Sequence, residues 1–279
     1  MKRKGFTLIE LLVVIAIIAL LMSILMPALS RVNEMAKRVV CASNVGGIVK
    51  AMATYSQTDE TGRFPRAGLM RGPWGPVDPG AWMVGTPADA FGSSAPVTAS
   101  LYLLANQDFI TTKQVICKSD TEATEWELTK EPGYVQGLDY WKVWDFGEVP
   151  FTHVSYAYHM PYSYMYGTSL TNQMLTGSRE PGLAVVADRS PGHSASVEND
   201  ITGHGGNSLT HGEEGQNVAF LDTHVDFVKT PACGISLDNI YTISDPDLGE
   251  QAGEIGFFPS NFTDGPGDKY DSYLVNQTQ

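Results

Sequence analysis

One segment near the N-terminus constrains the fold of this chain more than any other feature. Residues 6–26 form an apolar stretch of 21 residues in which Glu10 is the only charged side chain. At about 1.5 Å per residue, a helix of this length spans about 30 Å, which matches the apolar core of a bilayer. The basic residues at positions 2–4 favour a cytoplasmic N-terminus. We therefore predict one membrane-spanning helix with the rest of the chain on the other side.

The helical pattern continues well beyond the apolar stretch. Small and apolar residues recur with helical period as far as about Tyr55, so we predict one long helix over residues 6–58. Pro27 lies inside it and should strain or kink it, because its ring removes a backbone donor and clashes with the preceding turn. A secretory signal peptide explains the pattern less well, since the apolar stretch is too long and no small-residue cleavage site follows it.

The remainder of the chain has the composition of an ordered body rich in strands and loops. It contributes most of the 28 glycines and 16 prolines, and only 18% of all residues are charged. A short helix is predicted over Leu101–Ile110. Strands are predicted at Gln114–Cys117, Val154–His159, Leu183–Asp188, Gln216–Leu221 and His224–Val228, the last two forming a hairpin around Asp222-Thr223. We expect an α+β fold, in which this antiparallel sheet and its long loops pack against the C-terminal half of the helix.

The net charge argues against nucleic acid as a partner, and the cysteines leave open whether a disulfide forms. The formal net charge of −13 argues against nucleic acid as a partner, because phosphate binding needs clustered lysine and arginine. The three cysteines, at positions 41, 117 and 233, show no CxxC spacing. In an exported body, Cys117 and Cys233 would form a disulfide or remain as free buried thiols.

Residues 4–18 closely resemble the signature of type IV prepilins, which the pseudopilins of type II secretion systems share. The resemblance implies cleavage between Gly5 and Phe6 by a prepilin peptidase and methylation of the new N-terminus at Phe6. Glu10 and Pro27 then match the glutamate and the helix-breaking proline of that family. The implied organisation is a leader peptide at 1–5, a transmembrane and assembly helix at 6–58 and a globular extracytoplasmic domain at 59–279.

Glu10 has a physical role in such a family. A carboxylate within a membrane costs at least a few kcal/mol unless it has a partner. Cleavage creates a cationic amine at Phe6, and the Glu10 carboxylate of one subunit could neutralise the amine of its neighbour in a stack of helices. The resemblance implies copies of the chain and other pilin-like subunits as partners, together with the peptidase, the inner-membrane assembly platform and membrane lipid. It also implies an inner-membrane protein with a periplasmic body that later enters an extracytoplasmic filament.

The body shows a second resemblance, to prepilin-like proteins of planctomycete-type bacteria. Residues 115–120 are similar to a cysteine-proline-serine-aspartate element of that group, with Lys118 in place of proline. Residues 154–158 and 185–189 are similar to its intervening strands. Residues 211–225 resemble its terminal His-x9-Asp-Gly element, although ten residues separate His211 from Asp222 and Thr223 replaces the glycine.

Potential metal ligands are concentrated near the end of the body. They are His204, His211, His224, Asp188, Asp222 and Asp226. Strand alternation places Asp222, His224 and Asp226 on one face of the predicted hairpin. These three would bind Ca²⁺ or another divalent cation, and the family resemblance favours calcium. The alternative is that Asp222 caps the turn and the histidines bind loop backbone.

The function predicted is that of a structural subunit of a type IV pilus-like filament or a type II secretion pseudopilus. No serine-hydrolase, zinc-protease or phosphate-loop signature occurs in the sequence, so no catalytic residue is assigned. The alternative is a minor or tip pilin that acts as an adhesin or ligand-binding module. Its surface would be formed by the tryptophans, which are Trp74, Trp82, Trp126, Trp141 and Trp144. A membrane-anchored enzyme is the third alternative and would need a pocket that joins a nucleophile to a histidine.

Overall fold

The computed structural model describes residues 8–68, 70–71, 81–83, 90, 94–159, 161, 165–166, 169–170, 175–177, 179–191, 206–241, 272 and 274–275. Its first element is helix α1, Leu8–Thr58, which ends at the predicted residue. The helix continues through Pro27, so this proline does not end it, and the kink at Pro27 stays a prediction. Pro27 lies where the side chains on every face of the helix are exposed, and no packing there depends on its missing hydrogen bond.

Helix α1 has two halves with different surroundings. Every described side chain from Leu8 to Asn33 is exposed. From Cys41 onward, one face is buried with the spacing of a helical stripe, at Cys41, Val45, Gly46, Ile48, Val49, Ala51, Met52 and Ser56. The first half therefore depends on partners outside the folded body, and the second half forms part of its core.

The body contains an antiparallel sheet, as predicted; it has five strands, of which the one at Leu274–Val275 was not predicted. The strands that the structure describes are β1 Met70–Arg71, β2 Ser94–Ala95, β3 Tyr156–His159, β4 Met165–Tyr166, β5 Ser169–Leu170, β6 Ala184–Asp188, β7 Gln216–Phe220, β8 Val225–Val228 and β9 Leu274–Val275. The sheet order is β8-β7-β6-β3-β9, and every pairing within it is antiparallel. Ala157 pairs with Ala187, and Ala187 pairs with Val218, which fixes the register of the three central strands.

The sheet is covered on both faces, which explains why its central strands are buried at every residue. Helix α1 packs against β6, β7 and β8 on one side. A smaller apolar cluster that includes Phe220, Ile240 and Tyr241 covers the other side. Strands between two layers are buried on both faces, so they show no alternation of buried and exposed residues.

Two local predictions need correction. The short helix α2 is Val97–Asn106, so it begins four residues before the predicted Leu101. Gln114–Cys117 is not a strand, because Thr112–Val115 forms a 3₁₀ turn whose capping box pairs Thr111 with Gln114. The side chain of Gln114 accepts a hydrogen bond from the Thr111 backbone N–H at 2.8 Å, and this local bonding overrides the β-propensity of the apolar residues.

The predicted hairpin exists, but its turn has three residues. Phe220 N–H donates to the carbonyl oxygen of His224 at 3.0 Å and closes the ladder around residues 221–223. Thr223 adopts a left-handed conformation with φ of 73°, and its N–H donates to the Phe220 oxygen at 2.9 Å. A turn followed by a left-handed residue is a common three-residue hairpin connection.

Candidate functional site

The N-terminal site residues divide between described and undescribed parts of the chain. Gly5 and Phe6 lie outside the described residues, so the cleavage site stays a prediction. Glu10 lies in the first turn of helix α1, and Pro27 lies within the exposed half. The structure describes one helix long and apolar enough to cross a membrane, and none of the apolar window that qualifies it is buried within the body.

A buried polar cluster joins helix α1 to the sheet. Cys41 comes from the helix, Asp188 from the end of β6 and His211 from the turn before β7. Cys117 follows the 3₁₀ turn at Thr112–Val115 and completes the group. All four side chains are fully or almost fully buried. One potential ligand atom from each lies within 4.8 Å of those of the other three, so this group could hold a metal ion.

His211 is the centre of this cluster. Its Nε2 lies 3.5 Å from Cys117 Sγ and 3.3 Å from Asp188 Oδ2. On the other side of the ring, Nδ1 lies 2.7 Å from Glu34 Oε1 on helix α1. The imidazole therefore bridges a carboxylate on the helix and a carboxylate on the sheet.

Neighbouring groups fix these side chains in place. The backbone N–H and the amide of Asn217 both donate to Asp188 Oδ2, at 2.6 and 2.9 Å. Ser119 donates its hydroxyl proton to Glu34 Oε1 at 2.7 Å, and its backbone N–H donates to Cys117 Sγ at 3.4 Å. Asp188, Cys117 and, through Glu34, His211 are thus each oriented by a second group, as preorganised polar sites require.

The pKa values of the two thiols, Cys41 and Cys117, shift in opposite directions. The Cys117 thiol donates a hydrogen bond to the Cys41 sulfur, which lowers the pKa of Cys41 despite its burial. The same hydrogen bond raises the pKa of Cys117. Burial lowers the pKa of His211, but hydrogen bonds with Asp188 and Cys41 outweigh it and raise that pKa to about 10. The site therefore favours positive charge at the position between Asp188 and the sulfur atoms.

Arg38 extends the contact between helix and sheet outward from the cluster. Its guanidinium donates to the carbonyl oxygen of His211 at 3.1 Å and to Glu214 Oε2 at 2.5 Å. The guanidinium carbon also lies 4.5 Å from the centroid of the Phe227 ring, within the range of a cation–π contact. Helix α1 is thus attached to the sheet by polar contacts one turn before its apolar face becomes buried.

The predicted metal ligands of the hairpin lie elsewhere, on the surface. His224 Nδ1 contacts Asp222 Oδ1, and His224 Nε2 lies 3.9 Å from Asp226 Oδ2. The His224 ring also stacks on Phe220, with centroids 4.3 Å apart. Two carboxylates and one imidazole provide fewer oxygen donors than the six to eight that calcium takes. Divalent-cation binding by Asp222, His224 and Asp226 stays a prediction, and His204 lies outside the described residues.

Of the two alternatives for Cys117 and Cys233, the structure has the free thiols. Cys41, Cys117 and Cys233 are all free thiols. Cys117 belongs to the apolar core between helix and sheet, whereas Cys233 packs against the cluster on the opposite face. The sheet separates the two residues, and the sulfur that Cys117 meets is that of Cys41.

Most of the described tryptophans pack in or against the hydrophobic core. Trp82 and Trp126 are buried and meet edge to face, with ring centroids 6.2 Å apart. Trp144 is half-buried, and Trp141 is exposed. Trp74 lies outside the described residues. Among the tryptophans that the structure describes, no two exposed rings lie side by side, so this observation does not favour a binding surface.

The cluster includes residues that the sequence analysis did not assign. His211 and Asp188 were recognised as potential ligands, but Cys41, Cys117 and Glu34 were not. Cys117 and His211 are 94 positions apart, and no motif with short spacing connects them. The available signal was the second family resemblance, because residues 115–120, 185–189 and 211–225 contribute Cys117, Asp188 and His211 respectively.

The fold and its N-terminus define a class of protein. A long, outwardly apolar helix followed by an antiparallel sheet is the α+β architecture of type IV pilin-like proteins. Residues 1–26 match the family model described as the prokaryotic N-terminal methylation motif. The N-terminal segment of the chain is therefore similar to that of type IV prepilin-like proteins.

One curated relative supports this assignment over a longer segment. The chain is 37% identical over 65 residues to the ComG operon protein 3 homolog of Bacillus licheniformis. The alignment covers 23% of this chain and 66% of the relative, so the chain spans slightly less than two thirds of that protein's length. No solved structure matches the chain. The more detailed resemblance to planctomycete-type proteins stays a prediction.

Proposed function

We propose that this protein is a structural subunit of a type IV pilus-like filament or a type II secretion pseudopilus. The observation that supports the proposal best is the division of helix α1, whose N-terminal half is wholly exposed and apolar while its C-terminal half is part of the core. An exposed apolar segment of this size needs a membrane before assembly and neighbouring helices afterwards.

The exposed surface continues beyond the length that a bilayer would cover. Leu29, Val32, Met35 and Val39 recur every three or four residues and are 60% to 70% exposed. Residues at this spacing lie on one side of a helix. Because the body leaves this stripe uncovered, the helices of adjacent subunits are its natural partners in a filament.

Processing and assembly follow from the same helix. A prepilin peptidase would cut between Gly5 and Phe6, and the amine of Phe6 would become methylated. In the filament, Glu10 of one subunit would pair with the Phe6 amine of a neighbour and set the axial register, because a buried charge without a partner is costly. Loss of the basic leader takes the formal side-chain charge from −13 to −16, so adjacent bodies would need cations between them.

The first test is mass spectrometry of the mature N-terminus, which should begin at methylated Phe6. A Glu10→Val variant should be processed and inserted normally but should assemble few or no filaments in a shear-release assay. Glu60→Val, which removes an exposed carboxylate after the helix, is the matched control and should assemble normally. An intact Met1, or normal filaments from Glu10→Val, would contradict the proposal.

A ligand-binding role at a filament tip is the second candidate. Trp141 is the one exposed ring among the described tryptophans, so this candidate has less support than the structural role. An enzymatic role has less support. Cys117 Sγ and His211 Nε2 are within reach of one another, but the two side chains are 1% and 0% exposed, which leaves a substrate no access to the sulfur.

A further inference from the structure

The cluster of Cys41, Cys117, Asp188 and His211 has a composition that a purely structural core would not require. Two thiols, a carboxylate and an imidazole converge from four separate segments of the chain into a fully buried space. Burying ionisable groups costs free energy unless they are paired or bind a metal. Nitrogen and sulfur ligands with a carboxylate are the donor set that zinc takes in tetrahedral sites.

We propose that these four residues bind one structural zinc ion that fastens helix α1 to the body. Two of the six distances between ligand atoms agree with this geometry, and all six are within 4.8 Å. Zinc lies about 2.3 Å from sulfur and about 2.0 Å from nitrogen or oxygen, so tetrahedral ligands are separated by about 3.5 Å for sulfur and nitrogen and about 3.3 Å for nitrogen and oxygen. The corresponding separations are 3.5 Å for Cys117 Sγ and His211 Nε2, and 3.3 Å for His211 Nε2 and Asp188 Oδ2.

Asp188 supplies an independent observation. Its side chain is fully buried, and its Oδ1 atom has no hydrogen-bond partner among the residues that the structure describes. Asn217 donates both of its hydrogen bonds to the other oxygen, Oδ2, and the His211 ring also lies beside Oδ2, so Oδ1 keeps an unused acceptor. A cation held by Asp188 and the two cysteines would give Oδ1 a partner.

The groups around the ligands match those that surround zinc in proteins. A zinc-binding histidine usually donates its second ring N–H to a carboxylate, which orients the ring. Glu34 Oε1 lies 2.7 Å from His211 Nδ1 in the required position, while Nε2 faces Cys117 Sγ and Asp188 Oδ2 and lies 3.2 Å from the Asn217 amide nitrogen, which zinc would have to displace. The Ser119 N–H points to Cys117 Sγ, and Asn217 holds Asp188, so at least three of the four ligands have an outer partner.

Metal content of the full-length protein tests the proposal. The protein, purified in detergent and reconstituted with ZnCl₂, should retain about one zinc per chain after gel filtration. The double variant Cys41→Ser with Cys117→Ser should lose at least nine tenths of it. Cys233→Ser is the matched control, because it removes the third thiol on the opposite face of the sheet, and it should retain the full amount. Asp222→Asn with Asp226→Asn should retain it as well.

A spectroscopic measurement on the unaltered sequence removes the dependence on variant folding. Replacing zinc with Co²⁺ should produce intense visible bands of tetrahedral cobalt and a sulfur-to-cobalt charge-transfer band. Both should vanish when zinc is added back. Wild-type protein without bound zinc, equal zinc in the cysteine double variant, octahedral cobalt bands, or a Cys41–Cys117 disulfide in the non-reducing peptide map of the purified protein would each overturn the proposal.

Discussion

At the scale of single residues, buried ionisable groups differ in how they are paired, and three positions among the described residues illustrate this. Asp120 and Arg189 form a buried ion pair at 2.8 Å, and Arg189 also donates to the carbonyl oxygens of Phe151 and Val154. The His211 cluster is the second such position. Asp145 is the third, and it differs because no cation among the described residues lies beside it, so its pKa is raised well above the ordinary value.

The first prediction concerns Asp145. Burial raises its pKa in the folded state, and hydrogen bonds from the Phe146 N–H and the Thr98 hydroxyl only partly oppose this. The contribution of Asp145 to stability is therefore full below the unfolded pKa of about 4 and is lost as pH rises through the folded pKa, at about 1.4 kcal/mol per unit of pKa difference. Asp145→Asn should stabilise the protein at pH 8 and change little at pH 3.5.

Thermal or chemical unfolding at the two pH values measures this difference. Asp108→Asn is the matched control, since Asp108 is exposed and adopts a positive φ of 60° that asparagine also tolerates. Its effect on the unfolding free energy should be small and independent of pH. Equal stabilisation by Asp145→Asn at both pH values would show that the charge of Asp145 is not the cause.

At the scale of elements, helix α1 carries both a stripe that packs in the core of the body and a stripe that stays exposed and apolar. Its buried stripe contributes Val45, Ile48 and Met52 to the main core, while an exposed stripe on residues 29–39 remains apolar. Gly46 permits close packing of the helix on β8, because an added Cβ would lie 3.2 Å from a methyl group of Val225. Small residues at such contacts let a helix and a sheet approach closely.

Two methionines on helix α1 allow its buried stripe and its exposed stripe to be tested separately. Met52 is fully buried, whereas Met35 is 62% exposed. Met52→Ala should lower the unfolding free energy of the body by roughly 2–5 kcal/mol, because it leaves a cavity in the core. Met35→Ala, the same substitution on the same helix, should lower it by less than about 0.5 kcal/mol. Denaturant unfolding of detergent-solubilised protein distinguishes them, and similar losses for both would contradict the assigned burial.

Most helices and strands are predictable from sequence, because they depend on residues that are near one another along the chain. The end of α1 at Thr58 and the four main strands follow from hydrophobic period and flanking turn residues, which depend on nearby positions. Gln114–Cys117 was misassigned because a capping box, not apolar content, decides its backbone. The cluster around His211 could not be derived, because its four ligands are brought together by tertiary packing over separations of up to 170 positions.

At the scale of the whole molecule, the exposed stripe of helix α1 predicts which substitutions stop assembly without unfolding the body. Val39 is 70% exposed, so Val39→Asp should leave the body folded. In a filament, the new carboxylate would be buried between helices without a partner, and filament yield should fall at least tenfold. Thr54→Asp, on an exposed position of the same helix outside the stripe, should assemble normally.

Circular dichroism and unfolding curves check that both variants are folded, and quantitative immunoblotting of sheared filaments measures assembly. Normal assembly of Val39→Asp would show that the stripe faces solvent in the filament. Equal loss of filaments from both variants would indicate a general effect of negative charge on the helix.

The position at which helix α1 joins the body also determines how the protein would carry mechanical load. Arg38 and the His211 cluster attach the helix to the sheet directly after the exposed segment, and apolar packing continues to Ser56. A tension applied along stacked helices would enter the body at this junction and not through a flexible linker. Helix and sheet would then have to slide past one another, breaking many contacts at once, before the body could be pulled apart. Extraction from the membrane and retraction of a filament would therefore move the body as a rigid unit.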